Sequence, residues 1–207
     1  MYLYGASGHA KVIIDILEAM GVTIEGLLDD NPAIHSLLGY PVVHAVPESL
    51  HDEVIISIGD PAVRRRIAEA LSCRFGTAIH PSAQVSPHAG IGCGSVVMQG
   101  AIVQAGSEVG QHAIINSGAS VDHDCHVGDY AHIAPHATLC GNVTVGAGSW
   151  VGAGAVVIPG ISIGRGVMIG AGAVVVRDIP DGMVAYGNPC RIRNKNNKYF
   201  NELGGIF

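Results

Sequence analysis

Aromatic residues make up only 5% of this 207-residue chain and charged residues only 14%, and no Lys/Arg-rich run occurs in it. With a net charge of −6 and a pI near 5.9, the balance argues against a nucleic-acid-binding surface as the main function. An anionic ligand would need a local site instead. The five cysteines (Cys73, Cys93, Cys125, Cys140, Cys190) form no Cys-x-x-Cys pair. They are expected to be reduced, buried, small apolar residues of a cytosolic protein. No apolar run approaches the ~18 residues of a membrane span, so the mean hydropathy of +0.37 is assigned to a soluble core. Met1 is followed by no basic segment, and no signal peptide is expected.

Glycine, at 29 residues, is abundant, and the apolar residues carry a period. Stepping by six from Val85 through Ile91 and Val97 to Ile169 and Val175 gives sixteen aliphatic residues without a break. Many hexads read aliphatic-Gly-x-x-Ala/Ser, as at Val109-Gly110, Val127-Gly128 and Val145-Gly146. A helix needs a period near 3.6 and a strand a period of 2. Six fits a triangular coil in which one aliphatic side chain per flat side points at the axis and small residues turn the corners. Three hexads make one coil of eighteen residues, and Ile79 lies one step before the series. No insertion interrupts the run, so a plain prism is expected, with its open sides covered by partner subunits.

Residues 1–77 follow another pattern. An apolar strand, Met1 to Tyr4, precedes Gly5-Ala6-Ser7-Gly8-His9-Ala10 and a helix with Val12, Ile13, Ile16, Leu17 and Met20 on one face. A second strand, Val22 to Leu28, ends in Asp29-Asp30. A third, Val54 to Ile58, ends at Gly59-Asp60 before a helix around Val63 to Leu71. Strand, glycine turn, helix, strand and acid is the order of a nucleotide-binding α/β unit. Phosphates suit the helix N-terminus, and Asp29 or Asp30 could accept hydrogen bonds from a ribose or base. A plain tight βα connection is the alternative reading of the turn.

The segments Gly-Ala-Ser-Gly-His, Leu-Asp-Asp, Ser-Ile-Gly-Asp, Ile-His-Pro-Ser-Ala and Val-Asp-His-Asp-Cys resemble the bacterial sugar acetyltransferases of the sialic acid O-acetyltransferase (NeuD) and bacillosamine-pathway (PglD-like) group. The likeness runs over roughly residues 1–193. It implies an α/β Rossmann-like domain over 1–77 that holds a nucleotide-linked sugar. It further implies an all-β left-handed parallel β-helix of hexapeptide repeats over 78–193 that holds acetyl-CoA, and a tail over 194–207 expected to be unordered. A cytoplasmic homotrimer with active sites between subunits follows from the same resemblance. So do Ser7, Gly8, His9, Asp29, Asp30 and Gly59 as substrate positions, and His132, Gly141, Ala153 and Ala171 as acetyl-CoA positions.

The residues themselves single out Asp122-His123-Asp124. A carboxylate beside an imidazole raises its basicity and fixes its tautomer. Acetyl transfer to an amine needs a base, because an ammonium has no lone pair. The resemblance implies His123 as proton acceptor and Asp124 as the group that raises its basicity, while the sequence leaves Asp122 as a competing partner. One coil above His123 stands Gly141, where a bare backbone would let a thioester approach and an N–H could stabilise an oxyanion. The resemblance points to Gly141 for the same role.

Ala153 and Ala171 stand one coil apart on one edge, a track for a pantetheine arm. His88, His112, His126 and His136 are expected to face solvent. His123, His126 and His132 fall on different faces or coils, with no cysteine at ligand spacing, so no metal is expected. The segment Tyr186-Gly187-Asn188-Pro189-Cys190-Arg191 resembles the terminating segment of hexapeptide transferases, with Arg191 or Arg193 set to meet CoA phosphates or to be solvated tail charges.

The resulting expectation is an acetyl-CoA-dependent N-acetyltransferase acting on a nucleotide-linked 4-amino-4,6-dideoxy sugar by direct transfer. Sialic acid O-acetylation is the nearest alternative, and a non-catalytic scaffold β-helix the alternative of another class.

Overall fold

The computed structural model describes residues 1–45 and 53–195. The expected tail lies outside the described residues from 196 onward. The N-terminal part runs β1 (Tyr2–Tyr4), α1 (Gly8–Ala19), β2 (Gly26–Leu28), β3 (Ser36–Leu37), β4 (Tyr40–Val43), β5 (Val54–Ile56) and α2 (Pro61–Ala70). Its sheet has the order β3-β4-β2-β1-β5 and is parallel except for the β3–β4 hairpin. Leu3 and all of β2 and β5 are buried, as parallel strands covered on both faces require.

β2 is shorter than the sequence suggests, because the ladder with β1 begins only at Tyr2 opposite Gly26. Likewise α1 buries Ala10, Ile13, Ile14, Ile16 and Leu17, whereas Met20 is its exposed C-cap. α2 starts on a built cap: the Asp60 carboxylate accepts from Val63 N–H at 2.9 Å, and Pro61 occupies the first turn.

From Ala78–Ile79 to Val174–Val175 the chain forms a two-residue strand every six residues, stacked into three parallel sheets of a left-handed β-helix. The second residue of each strand points inward. From Val97 onward these residues are at most 3% exposed, so the period of six is the period of the core. Two positions earlier sits a second inward residue, usually alanine (Ala101, Ala119, Ala137, Ala155, Ala173), small enough to fill the corner. An antiparallel hairpin, Met183–Tyr186 with Arg191–Lys195, closes the end. Among the described residues no helix is long and apolar enough to cross a membrane.

One flat side of the prism is covered by the N-terminal domain. The outward residues Ala78, Val96 and Ile114 of that side join the core formed by Leu3, Ile13, Ile16, Leu17 and Ile55. This covering overturns one expectation. His112 does not face solvent: it is 2% exposed, stacked on Tyr130 (centroids 5.1 Å apart) and met edge-on by Phe75 at 4.5 Å. Phe75 arrives from a distant segment, which no local pattern signals. His88, His126 and His136 are exposed, as expected. A second expectation fails in part. All five cysteines are free, but only Cys125 and Cys190 are buried, and Cys93 lies exposed on a corner outside the inward register.

Three histidines gathered at the domain boundary are held neutral by burial first and by the nearby Arg64 charge second. His9 and His112 are lowered to about 4 and His132 to about 3. In the unfolded chain such groups take up protons near pH 6.5. The unfolded chain therefore binds more protons than the fold throughout the interval from 6.5 down to about 3. Stability is level above that interval and declines as the pH falls through it. Thermal melts stepped from pH 7.5 to 4 should show this decline, and His112→Phe, which keeps a stacking ring but binds no proton, should make it shallower.

Candidate active site

Asp122, His123 and Asp124 turn one corner of the prism. Asp124 has φ of +58°, a left-handed conformation that Asp tolerates better than most residues. This conformation folds its carboxylate back onto the ring, with His123 Nδ1 2.8 Å from Asp124 Oδ2. Asp122 Oδ1 instead accepts from the His123 backbone N–H at 2.8 Å. The ring contact left open by the sequence is thus made by Asp124. The His123 pKa is raised, by the Asp124 hydrogen bond first and by the Asp122 charge second. With Nδ1 tied down, Nε2 is the free atom on a side chain that is 62% exposed.

Four further hydrogen bonds hold this corner. Ser107, fully buried one coil below, donates to Asp122 O at 2.6 Å and accepts from Cys125 N–H at 3.0 Å, bracketing the triplet at both ends. Asn142 N–H bonds His123 O at 2.9 Å, and Cys125 Sγ–H donates to Cys140 O at 3.2 Å. Gly141, one coil above, lies directly against the imidazole. A Cβ there would sit 2.6 Å from His123 Cε1 and Nε2, so the ring itself requires this glycine. The Gly141 N–H donates to no group among the described residues.

The N-terminal candidates separate into two groups. Asp29 and Asp30 line a cleft of about 350 Å³ together with Tyr4, Gly5, Ile58 and Arg66. The Asp29 carboxylate is already engaged by Ala6 N–H (2.7 Å) and Asn31 N–H (2.9 Å), bracing the glycine turn. Asp30 accepts from Tyr4 O–H at 2.9 Å, and its second oxygen has no hydrogen-bond partner among the described residues. Burial, and then Asp30, raise the Tyr4 pKa.

Ser7, the N-cap of α1, is exposed, as is Gly8. His9 turns instead toward the β-helix, its ring centroid 6.4 Å from that of His132. Gly59 O faces the same histidine, 3.3 Å from His132 Nδ1. Tyr4 and Arg66 are cleft residues the sequence analysis did not select. Their signal is weak: Tyr4 is one of two tyrosines in the first strand, and Arg66 one of three consecutive arginines on the helix after the third.

His132 is 3% exposed and has both ring nitrogens engaged. Ser117 N–H donates to Asn116 Oδ1 at 2.8 Å, which turns the amide so that Nδ2 donates to His132 Nε2 at 2.9 Å. The proton is then on Nδ1, directed at Gly59 O. Trp150 packs on the ring at 4.0 Å between centroids. Ala153 and Ala171 are both exposed and stack along another corner, with Gly172 N–H bonded to Ala153 O at 2.8 Å. Beyond them Tyr186 packs on Gly170, and the Arg193 guanidinium lies 5.2 Å from the Tyr186 ring. Among the described residues no group of three His, Cys, Asp or Glu is placed to hold a metal ion.

The three corners are not equivalent. The side covered by the N-terminal domain carries His132 and Trp150. The corner of Ala153 and Ala171 borders that side. The corner of His123 lies between the other two sheets, those of Val121 and Val127, and is the opposite vertex of the triangle.

Comparison with known proteins agrees with this architecture. Residues 1–71 match the family described as PglD N-terminal domain, and residues 106–141 and 142–177 match the bacterial transferase hexapeptide family. A variant of perosamine N-acetyltransferase from Caulobacter crescentus, solved with CoA and GDP-perosamine, is 40% identical; the match covers 94% of this chain and 96% of that one, with a TM-score of 0.90. The acetyltransferase domain of PglB from Neisseria gonorrhoeae, solved with acetyl coenzyme A, is 41% identical over 93% of this chain and 98% of that one, with a TM-score of 0.86. An uncharacterised protein, L142, of Acanthamoeba polyphaga mimivirus is 32% identical over 101 residues, 47% of this chain; the match spans only 21% of that curated relative.

An NMR titration tests the electrostatics of the corner. The His123 imidazole should titrate above pH 6.5. Asp124→Asn should lower that midpoint most, and Asp122→Asn by a smaller step.

Proposed function

The chain belongs to the hexapeptide-repeat bacterial acetyltransferases, close to the nucleotide-sugar N-acetyltransferases, and from this we propose that it acetylates the amine of a nucleotide-linked amino sugar of the 4-amino-4,6-dideoxy type. The observation that carries the chemistry is His123 Nε2, free and exposed on a ring whose Nδ1 is held by Asp124. Acetyl-CoA supplies the acetyl group as an activated thioester. His123 Nε2 takes the proton that the amine loses as it forms its new bond to carbon, with Asp124 stabilising the imidazolium. The Gly141 N–H, unengaged among the described residues, is the donor available to a developing oxyanion. The imidazolium then returns its proton to the departing thiolate. Cys125 plays no nucleophilic part: it is buried, and its thiol is raised by burial.

Residues 1–77 hold the nucleotide sugar in this reading. Asp30 is its acceptor and Asp29 braces the turn, while Ser7, Gly8, His9 and Gly59 are proposed substrate positions outside the lining of their cleft. Residues 78–193 hold acetyl-CoA. The small, exposed Ala153 and Ala171 leave room for an extended arm, and His132 acts through its packed ring, since its nitrogens are engaged. A cytoplasmic location fits five free cysteines.

The assembly is a homotrimer with shared sites. Two features support it. On one free side the outward column Ile102, Ser120, Thr138, Val156 and Val174 is half-buried and uncharged, with aliphatic residues at both ends, whereas Glu108, His126, Thr144 and Ser162 on the other side are exposed and polar. Moreover, His123 lies at the vertex opposite the chain's own nucleotide domain, so the amine it serves is held by a neighbour.

CoA release should be measured with acetyl-CoA and UDP-, GDP- and dTDP-linked 4-amino sugars, beside sialic acid and its CMP form. Release with one nucleotide-linked amino sugar is expected. Release with sialic acid alone would replace the reading by O-acetylation. His123→Ala should lose about 10²–10⁴-fold in rate while retaining CoA binding. The wild-type rate should fall on acidification through the raised His123 pKa, and Asp124→Asn should move that limb to lower pH.

Subunit mixing tests the shared site. His123→Ala and Asp30→Ala proteins, each impaired alone, should recover activity when unfolded together and refolded into mixed trimers. No recovery would place both groups in one subunit's site.

A further inference from the structure

Arg64 is a buried cation to which no part in substrate binding or acetyl transfer has been assigned above. It sits on α2, is 1% exposed, and heads the fully buried side chains by volume. On one side its Nη1 donates to the carbonyls of Ile58 and Gly59, each at 2.9 Å. On the other its Nε donates to His112 O and its Nη2 to Tyr130 O, each at 2.7 Å, with Ala131 O at 3.4 Å. Among the described residues no carboxylate forms an ion pair with it. Burial holds its pKa down at about 10, which still leaves it charged at neutral pH.

An unpaired buried charge is costly, and an apolar side chain could pack α2 on the prism without that cost. What a planar fork adds is geometry, because its donors tie separate segments together at fixed spacing. Here one segment is the turn after β5 that ends in Gly59. The other is the β-helix corner that leads into His132. The two meet again at a single atom, since Gly59 O lies within reach of both Arg64 Nη1 and His132 Nδ1.

We infer that Arg64 is a positioning residue for the acetyl transfer: its guanidinium sets the Ile58–Gly59 turn against the Tyr130–His132 corner, and so sets the bound nucleotide sugar relative to the acetyl donor. This rests on the reading of Gly59 as a nucleotide-sugar position. Arg64 touches neither substrate. Its effect passes through the turn it holds.

The test uses Arg64→Lys, which keeps the charge but cannot span both segments, and Arg64→Met, which keeps the apolar stem. In whichever variant folds as the wild-type oligomer, the KM for the nucleotide sugar should rise about tenfold or more, while that for acetyl-CoA stays within about twofold. A merely structural role would lower Tm and the active fraction and leave both KM values in place; that result, or a parallel rise of both, overturns the inference. Amide exchange on the free protein gives a second readout that needs no substrate. Exchange over residues 57–60 and 130–132 should quicken together in Arg64→Lys, with β1 and β2 unchanged, and unchanged protection there overturns the clamp. If the wild type acetylates no nucleotide-linked sugar, the substrate reading falls and the positioning role with it. The exchange result then separates that failure from failure of the clamp.

Discussion

The constraint on which this structure depends is the ladder of backbone hydrogen bonds between successive coils. Met98 N–H bonds Ile115 O, Asn116 N–H bonds Ile133 O and Ala134 N–H bonds Val151 O, each at 2.9 Å. Vertical neighbours are thereby a matter of numbering: Val97, Ile115, Ile133, Val151 and Ile169 form one column. A slip of one residue would turn that column to water and draw polar side chains to the axis. Burial of one Val or Ile is worth about 1.5–3 kcal/mol, and a slip would forfeit many of them together. The register is therefore stiff, and the stack of Gly141 on His123 inherits that stiffness. The imidazole is placed by the backbone of two coils, as a precise site requires.

This also explains which parts of the molecule were legible beforehand. The core column, the coil of eighteen residues and the pairing of position 123 with 141 all follow from spacing, because the ladder converts spacing into height. Legibility ended where the partner was a distant segment or a plain carbonyl. His112 shows the first case, since Phe75 covers it from the N-terminal domain. Arg64 and Ser107 show the second. Their acceptors are backbone oxygens, which every residue possesses, so no residue type marks them. The choice between Asp122 and Asp124 was of the same kind. It turned on the left-handed backbone at Asp124, in a corner column that also holds Gly106, Asn142 and Gly160 at positive φ. Gly, Asn and Asp in register are the trace such a column leaves. At Gly141 the structure adds a reason that spacing alone did not supply, because a Cβ there would meet the His123 ring.

Four of the histidines occupy two contrasting electrostatic environments. At the domain boundary, burial and the Arg64 charge both disfavour the proton, and His9, His112 and His132 are held neutral. At the opposite vertex two carboxylates favour the proton on His123. A neutral imidazole serves as a fixed donor and acceptor, which is how His132 joins Asn116 to Gly59. A base must instead gain and lose its proton near the working pH. The fold separates these uses by placing the cation of Arg64 at one side of the triangle and the carboxylates at the far corner.

That separation bears on the exposure of His123. A contact between a ring 62% exposed and a carboxylate 67% exposed is screened by water and salt. In the isolated chain Asp124 therefore stabilises the imidazolium only weakly. Covering this corner with a neighbouring subunit would remove water from the same contact and strengthen it without moving an atom of the chain. The domain that could deliver an amine is held on the far side of its own prism by Arg64 and the boundary core. The proposed arrangement would meet both needs: a neighbour's nucleotide domain brought against the His123 corner would supply the substrate and the low dielectric together. On these grounds, in the proposed oligomer the exposure of His123 would belong to the free chain alone, and the neighbouring subunit would complete the electrostatics that the Asp-His-Asp corner begins.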